Sequence, residues 1–382
     1  RVKRLSGYHN RSKFSWPEQK VLNLTYETEV NDWFVQASYL NKTYEQPIYK
    51  ALNTGDPLIG GFPQVPTLKA PDGRPIYNMT SYGSYKAGLY TQGGSDGELF
   101  SLTGSKSFND GDGLFTIGYA HQNMSVVNQS TSATANSTYG KSPNADPNNA
   151  LPGRSPFEVE HRLFATLSST HFFFGENSPT TFSVFFERRS GYPLSATFAT
   201  ETKRVADYQR QAFGLDDSLQ DDNRNFLIYV PASASDPLVC WVSCASPDLA
   251  FAAQAMEMMK ALDLDGYGGR IAPKGHINAP YVSTMDVKVT QVLKGFRDDD
   301  EFIIELGIQN ILNLLDDEMG VHKSGHWTRT NPIFDVDMTE DFSKYILSPS
   351  YAFDPENPMG IRTQTTPSLW RAQLGFRYNF NF

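Results

Sequence analysis

The sequence predicts an all-β chain, an antiparallel transmembrane β-barrel with long extracellular loops, to which it contributes about nine strands. Three observations lead there. The first is alternation. From Trp370 the even positions read Trp, Ala, Leu, Phe, Tyr, Phe, Phe, and the odd positions from Arg371 read Arg, Gln, Gly, Arg, Asn, Asn. Period 2 sustained to the chain end is long for an ordinary strand. The second is the spacing of these stretches, which are joined by short and long connections in turn. The third is composition: aromatics reach 13% of the 382 residues, yet apolar residues make up only 39% and mean hydropathy is −0.43. A barrel wall reconciles these values, because half of each strand faces water and half faces lipid, which hides the apolar face from any running average.

The same numbers exclude other classes. Fifty aromatic residues (5 Trp, 19 Tyr, 26 Phe) need somewhere to be buried, so the chain is not disordered. No stretch approaches the ~20 consecutive apolar residues of a membrane helix. A formal charge of −9 argues against a nucleic-acid binder, which carries a basic patch.

The strands follow in order. Weaker alternation fits about 20–29, 33–45 and 96–108. Phe115, Ile117 and Tyr119 then oppose Thr116 and Gly118, and Leu163, Ala165 and Leu167 oppose Arg162. Phe182, Val184 and Phe186 oppose Ser183 and Glu187. Val287, Val289 and Leu293 oppose Asp286, Lys288 and Thr290. Phe302, Ile304, Leu306 and Ile308 oppose Glu305 and Gly307. Tyr85–Gln92 has strand character, but a tenth strand there breaks the alternation of connections. Short connections at Val30–Asp32, Asp110–Gly113, Gly175–Pro179 and Arg297–Asp300 carry hairpin chemistry. Between them lie long ones at roughly 46–95, 127–156, 191–282 and 314–367, uncommon in compact domains. Short periplasmic turns alternating with long extracellular loops are the pattern of outer-membrane barrels.

The loops hold one helix candidate, Leu249–Leu264, with Ser246 as its expected N-cap and Pro247 at the first helical position. Cys240 and Cys244, four apart, read as a local disulfide formed in an oxidising compartment; two free thiols in a loop are the alternative. Lumen-facing charges are the candidates for substrate contact: Glu187, Arg189, Glu305, Arg371 and Arg377. His322 and His326 have helical spacing for metal ligands, but Gly320 and Gly325 favour a loop and no third ligand is near. Phosphate loops, nucleophile elbows and calcium loops are absent at the required spacing, so no cofactor, no metal and no enzymatic activity are expected.

Several motifs point to a family. They are Leu227–Pro231, Gly269–Gly275 (Gly-Arg-Ile-Ala-Pro-Lys-Gly), Ala279–Val282 leading into 286–291, and Asn310–Asp316 closed by Gly320; Phe157–Leu167 and Phe185–Pro193 accompany them. In order and spacing they resemble the Oar-like TonB-dependent outer-membrane receptors of Gram-negative bacteria, over residues 157–382. The last strand, with Phe376, Tyr378, Phe380 and the terminal Phe382 on one face, resembles the signal read by the barrel-assembly machinery. The resemblance implies a barrel of about 22 strands closed by a plug, energy delivered by TonB, and import of a scarce ligand across the outer membrane. It also implies that the plug, the TonB-contacting segment and the early strands lie outside these residues, which form the C-terminal part of one barrel domain. Two other readings stay open: a passive porin, and a secreted β-rich carbohydrate-binding protein or hydrolase.

Overall fold

A computed structural model of the chain describes residues 15–53, 62–63, 66–77, 87–128, 134–199, 213, 226–297, 300–326 and 328–380. Strands hold 53% of the described residues and helices 11%, so the protein is all-β. The main sheet has eleven strands, nine of them on one path in chain order. These are β1 (Gln19–Val30), β2 (Trp33–Asn53), β3 (Ala87–Phe108), β4 (Gly113–Val126), β5 (His161–His171), β6 (Thr180–Arg189), β7 (Val282–Lys294), β8 (Glu301–Gln309) and β9 (Arg371–Asn379). Each is antiparallel to the next. The outer edges, on β1 and β9, pair with nothing among the described residues.

Directly paired residues share a face, so the register sorts the side chains. One row runs Leu24, Tyr39, Phe100 and His121; another runs Phe182, Val289, Leu306 and Leu374. The opposite face carries Thr116 beside Thr166, Ser168 beside Ser183, and Thr290 beside Glu305. The sheet therefore has one apolar and one polar face. Nothing among the described residues covers the apolar face: Phe100 and Ile117, on inner strands, are 43% and 41% exposed, and Leu24 and Phe376, on the edge strands, 58% and 63%.

The strands are also staggered. The row that begins at Trp33, beside the first hairpin turn, passes through Lys106, Phe115, Leu167, Val184, Val287 and Ile308. It ends at Ala372, at the opposite end of β9 from Asn379, which pairs Glu301 beside the last hairpin turn. Each hairpin thus displaces the row further from its own turn. Tight chain reversals make this possible: Asn31, Asp32, Asn109 and Asp110 all have positive φ, as Asn and Asp tolerate.

β2 and β3 are 21 and 22 residues long. Tyr85–Gln92 is accordingly not a separate strand. From Ala87 it is the outward continuation of β3, paired with Gln46–Ala51 across a register shift at Tyr44/Gln46. The connection expected over 46–95 shrinks, because β2 runs on past the shift to Asn53. Beyond the shift the strands leave the wall: Ile48 is buried with Val127 and Ala150, and Tyr49 packs on the cap.

The long connections fold together into that cap. A five-stranded mixed sheet orders Val239–Trp241, Tyr345–Pro349, Thr330–Met338, Pro193–Ala199 and Ile277–Asn278. Pro193–Ala199 is buried at every position, as a strand covered on both faces must be. The helix Leu249–Ala261 packs Phe251, Ala252, Ala255, Met258 and Met259 against it. Its N-cap is Asp248 rather than Ser246. The Asp248 carboxylate accepts a 2.9 Å bond from the Phe251 amide, which leaves Pro247 outside the helix. Cys240 and Cys244 form a disulfide with Cα atoms 4.8 Å apart. The buried Arg74–Asp72 ion pair, 2.6 Å, brings a distant loop into this core; Arg74 lies over the Phe213 ring and donates to the Leu227 carbonyl. The large buried cluster of the described residues lies in the cap, around Phe198, Phe226, Tyr229, Phe334 and Tyr345.

Candidate functional site

The polar face of the wall bounds a hollow of about 790 Å³. Its lining reaches from Leu114 in β4 through Thr166, Ser183, Lys288 and Glu305 to Gln373 in β9. All of these lie on the polar face, so the sheet curls towards that side. Within the hollow, the Lys288 ammonium and the Glu305 carboxylate are 2.6 Å apart. Arg371 is also in the lining, its guanidinium donating to the Thr366 carbonyl at 3.2 Å. Asp286, a few residues before Lys288, accepts a 2.7 Å bond from the Asn310 amide where β8 ends. Asn310 itself stands at φ 50° and donates to the Gly320 and Ser368 carbonyls. A Cβ at Gly320 would lie 2.2 Å from its amide oxygen, so only glycine closes this turn. The Asn310–Gly320 motif thus fixes the entry into the last loop.

Of the five charges selected from the sequence, Glu305 and Arg371 both line the hollow, four register positions apart, and Arg377 continues their face of β9 towards the turns. Glu187 and Arg189 form a second group where β6 enters the cap. Glu187 is bridged to Arg162 at 2.5 Å and to Arg189 at 3.7 Å. Beyond Arg189 lies a smaller pocket of about 150 Å³, to which His322, Lys323 and Arg329 contribute. The alternation in β6 pointed to Arg189. Nothing in the sequence tied Arg329 or His322 to it, because their approach depends on the folded cap. Burial and the neighbouring Arg189 lower the basicity of His322.

The aromatic residues of the last strand divide. Phe376 packs on Phe302 across the apolar face. Tyr378 instead holds the β7–β8 turn, its hydroxyl donating to Asp300 and accepting from the Phe296 amide, both at 2.8 Å. Phe380 follows it, with rings 4.6 Å apart. Phe382 lies outside the described residues, as do Asp216, Asp217, Asp221, Asp222, Asp298 and Asp299. His322 and His326 sit in a loop; the His326 ring bonds Thr328 at 2.6 Å.

One grouping of metal-ligating side chains was not anticipated. His121 and His161 face each other across β4 and β5, with Glu160 beside them, and their ligand atoms lie within 4.8 Å of one another. Glu160 already bridges Arg154 at 2.7 Å, and one His161 ring nitrogen bonds the Tyr119 hydroxyl at 2.8 Å. The arrangement works as a polar rim that ends the apolar band of the wall.

Comparison with protein-family models, curated proteins and solved structures returns no match to this chain. The functional reading therefore rests on the geometry.

Proposed function

We propose that this chain forms the wall and the extracellular cap of an outer-membrane receptor of the TonB-dependent type, which imports a scarce ligand. The observation that carries the reading is the uncovered apolar face. The row from Val30 through Trp33, Phe115, Leu167, Val184, Val287 and Ile308 to Ala372 crosses nine strands with one polar interruption, Lys106, while the large buried cluster of the described residues gathers in the cap. A soluble protein leaves contiguous apolar patches of at most a few hundred Å². A face this extensive matches lipid. The stagger of the rows supports a barrel, since closure requires strands to tilt and their register to shift steadily. The polar face then lines the lumen, and its hollow with Lys288, Glu305 and Arg371 is the ligand path. The free edges of β1 and β9 would meet further strands of the complete wall.

Fractionation tests this reading. The protein is expected in the outer-membrane fraction, released only by detergent. Recovery in the soluble fraction without detergent would overturn it. Loss of ligand uptake on dissipating the energy that TonB supplies separates a receptor from a passive pore, which would continue to conduct.

A further inference from the structure

The smaller pocket at the junction of wall and cap is rich in basic side chains and has no carboxylate in its lining. Arg189, His322, Lys323 and Arg329 contribute to its lining. The adjacent carboxylate, Glu187, bridges Arg162 at 2.5 Å and Arg189 at 3.7 Å, which leaves Arg329 without a carboxylate partner among the described residues. Arg329 is the telling residue. It is partly buried, and its Nε is fully buried with no acceptor among the described residues. A guanidinium cannot shed its proton to escape such a site. Burying it without a counter-charge is costly, and an unsatisfied buried donor in a native structure calls for an explanation.

The geometry makes the site more positive still. The Arg329 and Arg189 guanidiniums lie 4.3 and 5.3 Å from the ring centre of Tyr192, so two like charges share one aromatic. Arg329 is held at φ 58°, a strained backbone for a side chain with a Cβ. It keeps that conformation because its amide and carbonyl are both bonded, to His326 and Ser195. Gly191 brings the chain against the 279–280 backbone, where a Cβ would sit 2.4 Å from the Ala279 oxygen, and this places Tyr192 beneath both guanidiniums. Two forked donors on an aromatic floor, in a volume of about 150 Å³, suit one small group with several acceptor oxygens.

We propose that this pocket binds an oxyanion, a carboxylate or phosphate group, between the guanidiniums of Arg189 and Arg329 above Tyr192. The site stands whether or not the wall lies in a membrane; in a receptor it would hold the acidic group of the incoming ligand. Calorimetric titration of the purified protein in detergent tests it, with inorganic phosphate and acetate in separate arms, against a background of sodium chloride. Saturable binding is expected in at least one arm, and the stronger arm tells a tetrahedral from a planar group. Arg329→Gln should weaken that binding about tenfold or more, since a charged hydrogen-bonding partner is lost. Arg189→Gln should do the same, which keeps the test decisive if Arg329→Gln fails to fold. Lys260→Gln, on the exposed side of the cap helix and outside the pocket, should leave it unchanged. Absence of saturable binding by the folded protein in both arms would overturn the proposal. So would binding that survives either folded pocket variant. Neither result bears on membrane partition, so failure here leaves the receptor reading to its own test.

Discussion

Phe376 in β9 is 63% exposed, and Phe334 in the cap is 0% exposed. The two residues belong to strands of equal length, nine residues each. What differs is what covers each strand. In the wall, apolar side chains line one face at period 2 and pack on neighbours within the sheet, as Phe302 does on Phe376 and Trp33 on Phe115. In the cap, Phe334, Trp241, Phe251 and Phe353 pack ring on ring in three dimensions. The cap is an ordinary packed core; in the receptor we propose, the apolar face of the wall meets lipid. The long connections of the chain are therefore a second folded layer, and β2 and β3 extend far enough to support it.

Substitutions sharpen this contrast. The largest effect is expected at Phe334→Ala, which should destabilise the cap by about 3–5 kcal/mol, while Phe376→Ala costs much less because it leaves no protein cavity. Chemical unfolding in micelles, followed by tryptophan fluorescence, checks the pair. Next comes Leu374→Arg, midway along β9 on its apolar side. It should cost about 2–4 kcal/mol in lipid vesicles, against roughly zero for Gln373→Arg one residue away. Equal costs at the two positions would break the assignment of faces.

A graded effect is expected from Lys274, which is buried where the cap meets the wall. Its ammonium donates to the Val126 and Val127 carbonyls at 3.0 Å, and burial pulls its pKa from 10.5 down to about 7. The folded state therefore loses this proton first. Above pH 7 the unfolded chain binds more protons, so stability should rise with pH from about 7 towards 10.5 and stay flat below 7. Lys274→Met should abolish that slope. Melting curves between pH 6 and about 9.5 read it before tyrosine ionisation, which lies near 10 in an unfolded chain, interferes. The smallest effect is expected at Asp248→Ala, about 1 kcal/mol for the lost helix cap, measured by the same melts.

The wall was legible because its signal is periodic. From Arg371 to Asn379 each side chain declares its face, and the same rule selected Glu187, Arg189, Glu305, Arg371 and Arg377. The outer parts of β2 and β3 were not legible, since a register shift at Tyr44/Gln46 breaks the rhythm. The cap was almost invisible. Its strands are two to nine residues long, and Ser195–Ala199 pairs in parallel with a segment more than a hundred positions away, at Thr330–Asp335. Short buried strands carry no alternation to read. The helix was found by its composition but its cap was misplaced by two residues, because Ser246, Pro247 and Asp248 all suit a helix start and only the bond to the Phe251 amide decides. The same limit hid Arg329, whose relation to Arg189 exists only once the cap has folded.

The most direct test of the account is the sidedness of β9. Single cysteines are placed in turn at Arg371, Ala372, Gln373, Leu374, Gly375, Phe376 and Arg377, with the Cys240–Cys244 disulfide left intact. In isolated membranes they are then exposed to a water-soluble or a lipid-soluble maleimide. The account predicts that the odd positions react with the water-soluble reagent and the even positions only with the lipid-soluble one. Even positions reacting as readily as odd ones with the water-soluble reagent would contradict it.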